Sequence, residues 1–188
     1  MGFSPVGTRV ARSSSLKMGF QNEVGAQAPL GFWDPLGWLK DADQERFDYL
    51  RTREIKHGRI AMLAIVGHLV TGSGVRAPGD IAFNLPYAQM KAGLGAFETI
   101  PGWGIAQIIG FIGLLELGYG YQAKNIEEYC KQAMTDAKWS TETQKRKMAI
   151  ELNNGRAAQM GIFAMVVHEK LDGNPYVLNG LLGLPGFH

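Results

Sequence analysis

The sequence Glu54-Ile-Lys-His-Gly-Arg59 returns in modified form as Glu151-Leu-Asn-Asn-Gly-Arg156, and each copy stands at the head of a largely apolar segment. In a helix that turns about 100° per residue, the Glu and the Arg of one copy lie roughly 140° apart, so they cannot form the usual i,i+4 ion pair. Each charge therefore needs a partner from elsewhere in the chain. If the two helices cross as a pseudo-twofold pair, Glu54 can pair with Arg156 and Glu151 with Arg59. The repeat predicts two crossed helices joined by reciprocal ion pairs.

Length and charge set broad limits on the class of protein. With 188 residues, of which 19 are basic and 17 acidic, the chain fits one domain or a compact membrane unit, and its charge gives no argument for nucleic-acid binding. The single Cys130 excludes an internal disulfide. No acidic residue precedes Glu23. Such a start, with Arg and Ser, is typical of the remnant of an organelle transit sequence, and it is equally compatible with a mature N-terminus.

Three apolar segments, at about 47–70, 103–123 and 147–171, are predicted to be helices bounded by Gly- and Pro-containing breakers. None has the roughly eighteen uninterrupted apolar residues of a simple span, so hydropathy leaves membrane spans and buried soluble helices both open. Basic residues are frequent before the first segment and between the second and third. The loop between the first and second has only Arg76 and Lys91. With three spans, this asymmetry follows the positive-inside rule and favours a membrane protein.

Single polar side chains interrupt the apolar segments at wide intervals. His57 and His68 share one face of the first helix about 16 Å apart, and Asn154 and His168 share a face of the third. Such isolated donors are too far apart to enclose one small ion, but each can supply the single axial ligand that the magnesium of a chlorophyll takes from a protein. The alternative for either distal histidine is a hydrogen-bonded core residue, and for Gln107 it is an interhelical hydrogen bond.

Glu116 is the one carboxylate of the second apolar segment. An unpaired carboxylate costs several kcal/mol in hydrocarbon, so a metal or a cation is expected as its partner. Glycines inside the segments allow either close helix contact or clearance for a flat pigment. Both interpretations stay open at Gly58, Gly67, Gly110, Gly113, Gly155 and Gly161.

The two copies of the repeat carry a resemblance to a known family. Glu54-x-x-His-Gly-Arg-x-Ala-Met-Leu and Glu151-x-x-Asn-Gly-Arg resemble the paired signatures of the light-harvesting chlorophyll-binding superfamily. The resemblance covers about residues 19–172. It implies an all-α membrane protein with three transmembrane helices, of which the first and third cross as the pair joined by the Glu–Arg ion pairs.

Further stretches resemble one branch of that superfamily, the fucoxanthin or peridinin chlorophyll a/c proteins of algae. They are the Glu-Ile-Lys-His form of the first signature, Gly155-Arg-Ala-Ala-Gln-Met-Gly-Ile, and Gly25-Ala-Gln-Ala-Pro-Leu-Gly-Phe-Trp-Asp-Pro-Leu-Gly37. The implied organisation is an N-terminal extension and pre-helix loop in residues 1–46, a three-helix pigment-binding domain in 47–172, and a C-terminal tail in 173–188.

The resemblance also implies roles for individual residues. Glu54 and Glu151 would each ligate a chlorophyll magnesium while paired with Arg156 and Arg59. Further magnesium ligands would be His57, Glu116, Asn154 and His168, and additional pigment positions would be His68 and Gln107. The run Trp33-Asp-Pro would shape a loop before the first helix, against which the family packs a carotenoid end group.

The function implied by the resemblance is that of a photosynthetic antenna, which catalyses no reaction. Its cofactors would be chlorophyll a, chlorophyll c, fucoxanthin or peridinin, and diadinoxanthin-type xanthophylls. Its partners would be a photosystem I or II core, neighbouring antenna subunits and thylakoid lipids. It would lie in the plastid thylakoid membrane with a stromal N-terminus.

Two alternatives remain. A stress-type member of the family, which dissipates excitation as heat, would share the fold and ligands. The loop between the first two segments, however, offers only Asp80 and Glu98 as acidic candidates for a pH sensor. A di-iron helical-bundle enzyme could use Glu54-x-x-His57, but Asn154 replaces the second His and only three long helices are available.

Overall fold

The computed structural model describes residues 19–82, 84–118, 139–173, 176 and 181, and these residues are mainly helical. Four helices are α1 (Gln44–Gly72), α2 (Ala96–Thr99), α3 (Gly102–Gly118) and α4 (Thr141–Asp172). Two short strands, β1 (Asp80–Ala82) and β2 (Leu85–Pro86), pair antiparallel. Single 3-10 turns occupy Phe20–Asn22, Tyr87–Gln89 and Gly93–Gly95. The strand pair is a departure from the all-α expectation.

Helices α1 and α4 both begin earlier than the apolar segments from which they were predicted. Asp43 explains the start of α1, because its side-chain Oδ1 accepts a hydrogen bond from the backbone N–H of Arg46 at 2.9 Å. Ser140 explains the start of α4, because its hydroxyl accepts from the backbone N–H of Thr143 at 3.2 Å. The first turns of both helices are polar. The prediction from the density of apolar residues therefore placed both helix starts too late in the sequence. Residues 119–123 of the predicted second segment lie outside the described residues.

No described helix is by itself both long and apolar enough to cross a membrane. The segments Gly93–Thr99 and Gly102–Gly118 reach that length and composition only together, and they are bent by 117° where they join.

The chain divides into two compact units at the bond between Arg53 and Glu54. In the first unit, the buried rings of Phe20 and Phe47 stack with centroids 4.5 Å apart. Asp34 organises the loop of this unit, because its carboxylate accepts the backbone N–H groups of Trp38 at 3.0 Å and Leu39 at 2.8 Å. Trp33, beside that aspartate, stays exposed.

In the second unit, α1 and α4 approach each other most closely at Gly58 and Gly155. A methyl group on Gly58 would lie 2.9 Å from the Cα of Gly155, closer than a real Cβ atom comes to backbone. Small and aliphatic residues three positions from these glycines along the two helices are themselves buried: Ala61, Leu152 and Ala158. The backbones can therefore meet at this point only because neither residue has a side chain.

Of the other glycines in the apolar segments, some fit the interpretation of close helix contact and some fit that of clearance for a flat pigment. A methyl group on Gly161 would lie 3.0 Å from Cδ1 of Ile65, so this glycine also serves helix contact. Around a methyl group at Gly67, Gly110 or Gly113, nothing among the described residues comes within 4 Å.

A cluster of three side chains, His68, Glu169 and Tyr176, joins the ends of α1 and α4. His68 Nε2 lies 3.2 Å from Glu169 Oε2, and His68 Nδ1 lies 2.9 Å from the Tyr176 hydroxyl. That hydroxyl also donates to the backbone carbonyl of His68 at 3.0 Å. Glu169 Oε1 accepts the backbone N–H of Leu94 at 2.7 Å. The cluster therefore fixes the connection before α3 to both long helices.

The protonation of Tyr176 suits this arrangement. Burial, with a smaller effect from the negative charge of Glu169, raises the pKa of the Tyr176 hydroxyl above its ordinary value. The hydroxyl therefore keeps its proton over the whole neutral range and remains a donor to the carbonyl of His68.

Substituting Gly58→Ala should destabilise the protein by about 1–3 kcal/mol, because the added methyl group meets backbone that cannot rotate away. Gly67→Ala is the matched control, since it adds the same group to the same helix where space is open. Thermal unfolding followed by far-ultraviolet circular dichroism would compare the two variants. Equal unfolding temperatures for both would show that the helices do not meet at Gly58.

Substituting Tyr176→Phe removes the hydroxyl that contacts His68 twice and leaves the ring in place. We expect a loss of about 1–2 kcal/mol in the free energy of unfolding, at about 1 kcal/mol per hydrogen bond. Tyr87→Phe provides a control, because the Tyr87 hydroxyl makes no hydrogen bond with the described residues. A loss of equal size in both variants, measured by the same thermal unfolding, would contradict the role of the cluster.

Candidate functional site

Two reciprocal ion pairs connect α1 and α4. Nε of Arg156 donates to Oε1 of Glu54 at 2.7 Å, and Nε of Arg59 donates to Oε1 of Glu151 at 2.6 Å. Each arginine thus contacts the glutamate of the other copy, as the repeat predicts. The pairs lie beside the Gly58 contact, where the two helices are close enough for the side chains to reach across.

The two carboxylates are paired and still accessible. The side chains of Glu54 and Glu151 keep 30% and 37% of their surface exposed. A carboxylate has two oxygens with several acceptor directions, so one that accepts from a guanidinium can still act as a ligand. Because the arginine supplies the balancing charge, such a ligand can face an apolar surrounding at reduced cost.

A third ion pair connects α1 to α3. The ammonium of Lys56 contacts Oε2 of Glu116. The sequence predicted a metal or a cation as the partner of Glu116, and the structure supplies a cation. Lys56 itself was missed, although a signal for it was present. Two residues after Glu54 it lies roughly 200° around the helix, away from the α4 side, as the cation of the signature that the crossing leaves without a predicted partner.

His57 and Asn154 follow the two paired glutamates by three residues and occupy equivalent places on α1 and α4. At three residues they lie one turn further along, about 60° around the helix from each glutamate. Both side chains are exposed. Each long helix therefore presents a carboxylate and a neutral donor on adjoining parts of its surface.

His68 occupies a different environment. Its side chain is only 8% exposed, and both imidazole nitrogens are engaged, one by Glu169 and the other by Tyr176. A magnesium could bind either nitrogen only by displacing that partner. The structure thus corresponds to the hydrogen-bonded alternative for His68.

The remaining candidates lie on α3 and near the end of α4. Gln107 is exposed on α3 and makes no hydrogen bond with the described residues, so the interhelical hydrogen bond is not seen there. His168 is half-buried on α4, next in the chain to Glu169. The structure does not bring either residue together with the Glu–Arg pairs.

The donors are dispersed in the part of the chain that the structure describes. No three His, Cys, Asp or Glu side chains converge there in a way that could hold a metal ion. A di-iron centre needs such a group of ligands. Single donors that are either neutral or paired with a balancing cation suit a different kind of metal. Such a metal brings its own equatorial ligands and takes one axial ligand from the protein.

Comparison with known proteins identifies the family. The family model described as chlorophyll A-B binding protein matches residues 20–170. The chain is 56% identical over 180 residues to the chloroplastic fucoxanthin-chlorophyll a-c binding protein D of Macrocystis pyrifera, covering 90% of this chain and 97% of the relative. It is 49% identical over 175 residues to the corresponding protein E of Phaeodactylum tricornutum, covering 90% and 89%. The chain therefore belongs to the chlorophyll a-b binding protein family.

Proposed function

We propose that this protein is a light-harvesting antenna subunit that binds chlorophyll a, chlorophyll c and fucoxanthin and passes excitation energy to a photosystem. The observation that carries the proposal is the pair of accessible carboxylates, Glu54 and Glu151, each balanced by an arginine from the other helix. The names of the relatives support the class of pigment, and they favour fucoxanthin over peridinin. A diadinoxanthin-type xanthophyll is proposed as a further ligand on the family resemblance alone.

The proposed ligand set assigns one donor to each pigment. Two charge-balanced glutamates and two neutral donors serve the crossed helices. A third glutamate and an amide serve α3, and one histidine serves the far end of α4. In that order the residues are Glu54, Glu151, His57, Asn154, Glu116, Gln107 and His168.

Ion pairing is what makes a carboxylate usable as such a ligand. A bare carboxylate in an apolar surrounding favours its neutral, protonated form, in which one oxygen carries a proton. At 4 Å, opposite charges attract by about 4 kcal/mol when the effective dielectric constant is near 20. The guanidinium supplies the balancing charge and orients the carboxylate that it contacts. Bound chlorophylls absorb light and exchange excitation, while the protein sets their spacing, orientation and local electrostatics.

We place the three helices of residues 47–172 across the thylakoid membrane of a plastid, with the N-terminus on the stromal side. Helices α1 and α4 have 29 and 32 residues. At 1.5 Å per residue they are about 44 and 48 Å long, enough to cross a hydrocarbon core of about 30 Å even when tilted. The charged signatures lower the hydropathy of both helices, but a charge buried as part of a pair costs less than one buried without a partner. The relatives are named as chloroplastic, which supports the organelle.

The surface of α3 supports an apolar surrounding. Its large apolar side chains face outward on all sides, with Trp103 84% and Leu117 77% exposed. A helix that is apolar all round needs cover from lipid, pigment or other helices. Thylakoid lipids and neighbouring antenna subunits are the partners proposed for this surface. The acceptor of the excitation is the core of photosystem I or II.

The pKa of one acidic residue favours a light-harvesting role over the dissipation of excitation as heat. Glu98, on α2 in the connection between α1 and α3, accepts a hydrogen bond from the ammonium of Lys91 at 2.9 Å. That contact and the charge of Lys91 hold the pKa of the Glu98 carboxyl below its ordinary value. Its protonated form therefore appears only at more acidic pH, which makes it a poor sensor of mild acidification.

The proposed function predicts the pigment content of the native protein. Extraction of the detergent-purified protein should yield several chlorophylls per chain, both a and c, together with fucoxanthin. The iron content of the same sample tests the alternative of a di-iron enzyme. A colourless or iron-loaded chain would refute the antenna assignment.

Glu54→Ala should prevent stable pigment assembly, because it removes a ligand and strands Arg156 at a cost of about 3 kcal/mol or more once water is excluded. His168→Ala should lose about one chlorophyll and leave the fold intact, since its site lies apart from the crossing. Glu45→Ala, which removes an exposed carboxylate near the start of α1, is the control. Chlorophyll per chain after reconstitution would separate the three variants. Unchanged pigment content in Glu54→Ala would exclude the proposed role of the ion pair.

A further inference from the structure

Lys56 is the charged residue of the first signature that the ion pairs between α1 and α4 do not include. It precedes Gly58 by two residues, so it lies about 160° around α1 from the contact with Gly155. From there its ammonium reaches Glu116 on α3. The side chain is 32% exposed, and that of Glu116 is 49% exposed.

Glu116 has no balancing charge within the described part of its own helix. The residues of α3 from Gly102 to Gly118 include no Lys or Arg. Its neighbours Leu115 and Leu117 are exposed apolar side chains, which places the carboxylate in an apolar strip. Within the described residues, the ammonium of Lys56 is its one ion-pair partner. Among the described residues, the counter-charge for this carboxylate comes from a different helix.

We propose that Lys56 is the charge-balancing and positioning residue of the pigment site at Glu116, in the same way that Arg156 and Arg59 balance the glutamates of the crossing. This inference rests on the proposed function and adds a residue and a mechanism to one of its sites. The ammonium occupies Oε2 of Glu116, and Oε1 has no hydrogen-bond partner among the described residues. Oε1 is thus the atom available to a magnesium, while Lys56 supplies the balancing positive charge at Oε2.

The charges of the site explain why a lysine suits it. An ammonium is a compact point charge on a flexible stem, so it can contact a single oxygen of a carboxylate. A lysine can therefore neutralise Glu116 through one oxygen and leave the other uncovered. The first signature in this way serves three helices, since Glu54 and Arg59 pair with α4 and Lys56 pairs with α3.

The alternative to charge balance is a simple tether, in which the ion pair only holds α3 against α1. Two variants distinguish these roles. Lys56→Met leaves the carboxylate uncompensated. The double variant Lys56→Met with Glu116→Gln replaces the ion pair by an apolar chain and a neutral amide, which can ligate magnesium without a counter-charge. If Lys56 balances the charge of Glu116, the added Glu116→Gln substitution should restore what Lys56→Met removes. If the ion pair is only a tether, both variants lack it and both should remain deficient.

The experiment reconstitutes the full chain with chlorophyll a, chlorophyll c and fucoxanthin, then measures chlorophyll per chain and the thermal loss of helical circular dichroism. Lys56→Met should lose about one chlorophyll and melt at lower temperature, and the double variant should regain both. Lys145→Met, which removes an exposed lysine from α4, is the control and should match the wild type.

Unchanged chlorophyll content in Lys56→Met would overturn the inference, and so would a double variant that remains as deficient as the single one. If Lys56→Met does not assemble at all, recovery in the double variant supports charge balance and continued failure refutes it. A wild-type chain that binds no chlorophyll would instead refute the proposed function itself, so the two failures are distinguishable.

Discussion

A charged side chain in an apolar helix needs a counter-charge close to it. In α1, α3 and α4 the counter-charge comes from a neighbouring helix, and this requirement governs how the three helices are arranged. Glu54 and Arg59 are too far apart around α1 to pair with each other, so both reach α4, where the second copy of the signature offers the complementary charges. The absence of side chains at Gly58 and Gly155 lets the backbones come close enough for both contacts. Geometry and electrostatics therefore depend on the same short stretch of sequence.

The same ion pairs explain how helices that contain charged residues can lie in an apolar surrounding. Hydropathy finds no single described helix fit to cross a membrane, because charged residues interrupt each long helix. Counted in pairs, however, the charges are neutral, and a neutral pair costs far less to bury than its members do singly. The paired carboxylates also keep accessible surface, which a purely structural brace does not require. Neutrality with accessibility is the combination that a pigment ligand needs in an apolar surrounding.

Much of this arrangement could be predicted from the sequence, because it depends on spacing along regular helices. The partners of Glu54 and Glu151 followed from the repeat. Other features depend on contacts that spacing does not specify. Asp43 and Ser140 set helix starts through local hydrogen bonds, ahead of the apolar pattern. The engagement of His68 depends on residues far along the chain. The partnership of Lys56 with Glu116 likewise needed the position of α3, which no repeat encodes.

The most direct test of the central claim is an electron cryomicroscopy structure of the pigment-bound protein in detergent, at a resolution that places side-chain oxygens and magnesium ions. The proposed function predicts a chlorophyll magnesium at ligand distance from a carboxylate oxygen of Glu54 and of Glu151, with Arg156 and Arg59 still paired to those residues. Chlorophylls held elsewhere, with both carboxylates engaged only by the arginines, would contradict it and leave the ion pairs as a structural brace alone.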